Sequence, residues 1–274
     1  MRKSLLALGV VAAMSAPAIA ADYSDGDIHK NDYKWMQFNL MGAFNEKPGF
    51  PNDSTHDYLE MEFGGRSGMF DLYGYIDYFN ITGDSSSDKS GSDKLFMKAA
   101  PRMSLDALTG KDLSFGPVQE VYVASELILN GGSSEGQYKI GLGSDINAPW
   151  LGKMGLNLYS TYDNGKKDWN GFQLSTNWFK PFYFFENGSF ISYQGYLDYQ
   201  FGMKDEYATA SNGGVMYNGI YWHSDRFAVG YGLKAFYNVY GIKDGNDILD
   251  DNNNVVGKTD STGFAHYIAV TYKF

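Results

Sequence analysis

In the last stretch of the chain, Phe264, His266, Ile268, Val270, Tyr272 and Phe274 take every second position, with Ala265, Tyr267, Ala269, Thr271 and Lys273 between them. A strand sends successive side chains to opposite faces, whereas a helix returns to the same face roughly every 3.6 residues. The pattern therefore predicts a strand with one apolar face. The same alternation recurs over 94–106, 153–162, 189–201 and 227–239. In the first of these, Leu95, Met97, Ala99, Pro101, Met103 and Leu105 oppose Phe96, Lys98, Ala100, Arg102, Ser104 and Asp106. Pro101 removes a ladder donor, which predicts a bulge or a locally unpaired position. Charged side chains are costly against lipid, so the polar face of each strand is expected to line an interior. Together these segments predict an all-β fold: a transmembrane antiparallel β-barrel of about twelve strands, in one domain. The 22 Tyr, 19 Phe and 33 Gly suit strands and turns. A mean hydropathy of −0.36 is compatible with this fold, because only alternate strand residues meet lipid.

Beyond Ala21 no run approaches the ~20 apolar residues of a membrane helix. The first twenty residues read as a cleaved export signal. Arg2 and Lys3 precede an apolar core from Leu5 to Ala16, and Ala18-Ile19-Ala20 supplies the small residues of a cleavage site. Residues 21–32 then form a periplasmic extension and 33–274 the barrel. Short connections at Arg66-Ser67-Gly68 and Ser224-Asp225-Arg226, with moderate ones near Pro149 and Asn187-Gly188, are expected in the periplasm. Longer polar ones at 46–56, 82–93, 130–137, 163–168, 202–213 and 241–261 are expected outside the cell, the usual asymmetry of such barrels. A final alternating strand that ends on Phe274 resembles the C-terminal signature of bacterial outer-membrane proteins. That resemblance implies contact with the barrel assembly machinery and outer-membrane lipid as surroundings.

A net charge of −10 argues against nucleic-acid binding, which relies on a positive field. With no cysteine there is neither a thiolate nucleophile nor a disulfide framework. His223-Ser224-Asp225 is the one cluster of triad residue types, but neighbours on a strand point apart, and Ser and Asp are ordinary turn residues. Asp244, Asp247, Asp250, Asp251 and Asn252 to Asn254 lack ordered calcium-loop spacing and read as a solvated external loop. The sequence thus predicts no enzyme, no metal site and no cofactor.

Specificity is expected in the lumen. Tyr73, Tyr75 and Asp77 share one strand face, and Lys98 and Arg102 another. Glu120, Tyr122 and Glu126 follow Pro117, while Asp145, Tyr159, Tyr196, Asp198, Lys234 and Tyr267 complete the set. Tyrosine rings beside opposed charges suit a flat, polar, uncharged solute, which stacks on rings while its edges hydrogen-bond. The same residues equally suit a barrel that fills its interior with mutually satisfied charges.

Leu95-Phe96-Met97, Pro101-Arg102-Met103-Ser104-Leu105-Asp106, Leu108-Thr109 and Asp112-Leu113-Ser114-Phe115-Gly116-Pro117 resemble the Tsx family of nucleoside-specific channel-forming outer-membrane proteins. Phe70-Asp71-Leu72-Tyr73-Gly74-Tyr75, Gly141-Leu142-Gly143-Ser144-Asp145-Ile146 and Asp168-Trp169-Asn170-Gly171 match in the same order. The resemblance implies a monomeric twelve-stranded barrel with a narrow lumen in a Gram-negative outer membrane. It also implies passive uptake of nucleosides and use as a receptor by phage tail proteins. A nearly closed barrel serving mainly as phage receptor or adhesin is the alternative. The chain departs from the family pattern at Lys98 and Ala100, where acidic residues stand in the family.

Overall fold

The computed structural model describes residue 23 and residues 25–49, 54–131 and 136–274. The export signal predicted at 1–20 lies outside the described residues. Six strands form the first half: β1 (Tyr33–Glu46), β2 (Ser54–Ser67), β3 (Phe70–Phe79), β4 (Leu95–Ser104), β5 (Val118–Asn130) and β6 (Gln137–Ala148). The second half holds β7 (Gly152–Asp163), β8 (Asp168–Phe184), β9 (Phe190–Phe201), β10 (Asn212–His223), β11 (Phe227–Tyr237) and β14 (Gly263–Lys273). These twelve close an antiparallel barrel in sequence order, sealed where β14 pairs with β1, from Gln37↔Lys273 to Phe44↔His266. Closure leaves no unpaired edge, as a sheet spanning hydrocarbon requires. A separate hairpin of β12 (Asp247–Leu249) and β13 (Val255–Lys258) stands in the connection between β11 and β14.

Alternation decides which side chains meet lipid. Leu40, Ile140, Leu142, Leu158, Ile220, Val229, Ile268 and Val270 are exposed on the outer wall. Removing each from water into lipid stabilises the inserted state by about 1.5–3 kcal/mol. Trp222, Phe227 and Phe274 are also exposed, near the short-turn end. Inward positions of the same strands are buried or polar, including Ala228, Ala265, Tyr267 and Ala269. Glycines make room for the largest inward rings. A Cβ on Gly230 would lie 2.2 Å from the Tyr221 ring, and one on Gly232 would lie 2.1 Å from the Tyr217 hydroxyl.

The ladder between β4 and β5 runs from Ala99↔Leu127 to Arg102↔Ala124, skipping Ala100 and Pro101 without a change of register. The Ser125 hydroxyl donates to the Pro101 carbonyl at 3.0 Å, so the position is locally unpaired as predicted. Three expectations are corrected. The strand expected over 94–106 stops at Ser104, and Leu105 and Asp106 begin a short helix, Leu105–Thr109. Ser104 caps that helix by accepting from the Ala107 amide, and buried Asp106 accepts from the amides of Leu113 and Val121. Those bonds satisfy donors that a straight strand end would leave without partners. Arg66 and Ser67, expected in a turn, belong to β2 instead. The connection 241–261 is no bare loop. Asp244 accepts from the Ser261 and Thr262 amides, and Asp250 from those of Asn252 and Asn254. These carboxylates build turns around the β12–β13 hairpin.

Candidate functional site

Inward side chains meet in three tiers of ion pairs, some between neighbouring strands and some across the lumen. At the end carrying the short turns, Arg66 of β2 reaches Glu120 of β5, Nη1 to Oε2 at 2.8 Å and Nη2 to Oε1 at 2.5 Å. Ser104 donates to the same carboxylate, and so does the hydroxyl of Tyr23, at 3.0 Å. Tyr23, well ahead of the first strand, is thus drawn into the barrel end. In the middle tier, Arg102 donates to Asp71 at 3.1 Å and lies 3.0 Å from Asp145. Its guanidinium sits 4.0 Å from the centre of the Tyr122 ring, and the Tyr122 hydroxyl donates to Asp145 at 3.0 Å.

Towards the long loops, Lys98 of β4 sits 2.9 Å from Glu126 and 3.3 Å from Asp198 of β9. Strands β4 and β9 lie five places apart around the wall, so this contact spans the interior. Lys139 shares Glu126 at 2.5 Å. Lys234 of β11 contacts Glu46 of β1 at 2.8 Å, and Tyr267 donates to Glu46 as well. Glu46 also approaches His56, whose other ring nitrogen lies 3.0 Å from Asp88 of the β3–β4 loop. Paired, hydrogen-bonded charges of this kind hold an interior polar without leaving isolated ions.

Aromatic rings occupy the remaining wall. Tyr196 and Tyr217 stack at 5.9 Å and 11°, and Tyr217 meets Tyr267 edge-on at 5.7 Å. Tyr75 stacks on Phe96 at 5.9 Å, while half-buried Tyr73 donates to Glu62 at 2.8 Å.

All the residues assigned to the lumen from sequence face inward, but their surroundings are decided by contacts across strands. Glu120 meets Arg66 of β2, not the Lys98 and Arg102 row of the adjacent strand β4. Tyr122 is fully buried with its face under Arg102, so its ring is not open to a stacking solute. Tyr159 is nearly as buried. Sequence reasoning missed Arg66, Glu46, His56, Glu60, Glu62, Asp71 and Lys139. Strand parity could have found most of them, since His56, Tyr58, Glu60, Glu62, Gly64 and Arg66 occupy alternate positions of one strand. His223 does not meet Ser224; its Nε2 lies 2.8 Å from the Ser192 hydroxyl, across the β9–β10 ladder. Ser192 is fully buried, and Phe190 stacks on the His223 ring at 4.6 Å, so this pair has packing rather than substrate around it.

The chain matches the model of the nucleoside-specific channel-forming protein family, Tsx, over residues 30–274. It is 73% identical over 274 residues to the outer membrane protein OmpK of Vibrio parahaemolyticus, with the whole of both chains covered. It is 30% identical to the nucleoside-specific channel-forming protein Tsx of Klebsiella aerogenes, again over the whole of both chains. Among solved structures, the KdgM porin aligns with a TM-score of 0.44 at 13% identity, covering 87% of this chain and 99% of the porin.

Proposed function

Since this chain belongs to the Tsx family of nucleoside-specific channel-forming proteins, we propose that it is a selective diffusion channel whose solutes are nucleosides. It is an outer-membrane β-barrel and a channel protein, not an enzyme. The observation that supports nucleosides is the juxtaposition of half-buried Tyr73, Tyr75 and Tyr196 with Lys98, Asp198 and Lys234 on the inner wall. A base can stack on such rings, each worth ~1–3 kcal/mol where unobstructed, while fixed charges orient its dipole. The same reading takes residues 1–20 as an export signal and 21–32 as a periplasmic extension. It puts the short turns in the periplasm, the long loops outside, and one copy in each channel. N-terminal sequencing of membrane-extracted protein should then begin at Ala21.

A nearly closed barrel, serving as phage receptor or adhesin, is the second reading, and it is favoured by the Lys98–Asp198 contact across the interior. Planar-bilayer recording separates the two. A channel for nucleosides shows ion current that adenosine partly blocks, and Tyr75→Ala or Tyr196→Ala weakens the block. Wild-type current that is absent, or indifferent to adenosine, refutes the nucleoside reading.

A further inference from the structure

Most inward carboxylates of this barrel have a cation beside them. Glu46 has Lys234, Asp71 has Arg102, Glu120 has Arg66, Glu126 has Lys98 and Lys139, Asp145 has Arg102 and Lys153, and Asp198 has Lys98. Glu60, Glu62 and Asp77 do not share this arrangement. Glu60 and Asp77 are register partners on β2 and β3, and Glu62 lies two residues further along the same inward face. Their donors are neutral. Asn39 donates to Glu60 at 2.6 Å and to Glu62 at 3.2 Å, Gln37 donates to Glu62 at 2.6 Å, and Tyr73 donates to Glu62 at 2.8 Å. Asp77 is only 7% exposed, and its Oδ1 is buried without any hydrogen-bond partner. Lys234 of β11 is already engaged by Glu46.

Leaving a carboxylate buried and without a partner is costly, and a cation that fills the gap regains that energy. The neighbouring inward positions are aromatic. Tyr58 and Phe79 flank the group with centroids 5.5 Å apart, and Tyr75 precedes Asp77 on the same face. No three His, Asp or Glu side chains among the described residues converge closely enough to ligate one metal ion. Carboxylates spread along a strand pair, with ring faces beside them, match an alkylammonium group better than a compact metal ion.

We propose that Glu60, Glu62 and Asp77 form a lumen site for protonated amines, so that the channel prefers cations and holds solutes bearing an ammonium group. The inference rests on the reading of the lumen as a diffusion path, but not on nucleosides as the solute. Single channels in planar bilayers provide the test, with a KCl gradient for selectivity and spermidine as the blocking amine. Wild-type reversal potential should have the sign of cation preference, and spermidine should interrupt the current. The triple variant Glu60→Gln, Glu62→Gln, Asp77→Asn should lose the preference and require about tenfold more spermidine for equal block, as expected when the carboxyl groups close to the amine are neutralised. Should the triple variant not fold, Glu62→Gln alone should raise the blocking concentration about threefold. Unchanged block in either variant overturns the site, as does a wild type without cation preference. Adenosine block is read on the same channels. If it persists while spermidine has no effect, only this site is lost; the reverse result removes the nucleoside reading and leaves the site. A wild type that carries no current overturns both.

Discussion

Arg102→Ala separates a lumen that is filled from one that is held ready for a solute. The guanidinium serves two carboxylates, Asp71 at 3.1 Å and Asp145 at 3.0 Å, and it covers the Tyr122 ring at 4.0 Å. After truncation Asp145 keeps Lys153 at 2.9 Å, whereas among the described residues Asp71 retains the Tyr33 hydroxyl at 3.2 Å and no cation. Removing one partner of a buried pair costs about 3–5 kcal/mol, and the lost cation–π contact adds ~1 kcal/mol. Lys153 offsets part of this, so the expected loss is about 3 kcal/mol. Urea unfolding of the barrel in lipid vesicles, followed by tryptophan fluorescence, measures it. Adding Asp71→Asn to the same chain should restore about half, because the stranded charge is then gone. A loss below about 1 kcal/mol, or no recovery in the double variant, would refute the mutual-satisfaction account of this tier.

Deleting Phe274 should lower the yield of folded, heat-modifiable barrel, because its ring packs on Phe38 at 5.6 Å and on Tyr272 at 5.0 Å at the β14–β1 seam. Unchanged assembly would remove the C-terminal sorting argument. Gly230→Ala should destabilise by about 1–3 kcal/mol in the same urea assay, since its Cβ would enter the Tyr221 ring; Gly230→Ala combined with Tyr221→Ala should recover most of that. An epitope inserted near Asn253, in the turn of the β12–β13 hairpin, should be detected on intact cells, and detection only after lysis would reverse the topology. His29 in the segment before β1 is held above its usual pKa, chiefly by its hydrogen bond to Asp32. Its contribution is fully present below the unfolded value of ~6.5 and fades as pH rises through the higher folded value. Exchange of the Gly68 amide, which donates to Asp32 at 2.7 Å, should therefore accelerate beyond its intrinsic rate over that window; constant protection would refute the link.

Period-two alternation was enough to determine much of this protein from residues alone. It placed Lys98 and Arg102 on one inward face and Ile268 and Val270 on the outer wall, because the strand period is local and lipid tolerates only one kind of face. Pro101 likewise announced the gap in the β4–β5 ladder through its missing donor. What alternation could not give is who meets whom across a closed interior. Glu120 pairs with Arg66 two strands beyond its neighbour, Lys98 reaches Asp198 from the opposite wall, and His223 turns to Ser192 rather than to its own sequence neighbour. Those partners depend on barrel circumference, stagger and register, which are properties of closure shared by all twelve strands rather than of any one. For the same reason Glu60, Glu62 and Asp77 look like ordinary strand polar residues in the sequence. Only the folded wall shows that the available lysines and arginines are spent elsewhere, because each cation can neutralise only the carboxylates that the closed geometry brings within its reach.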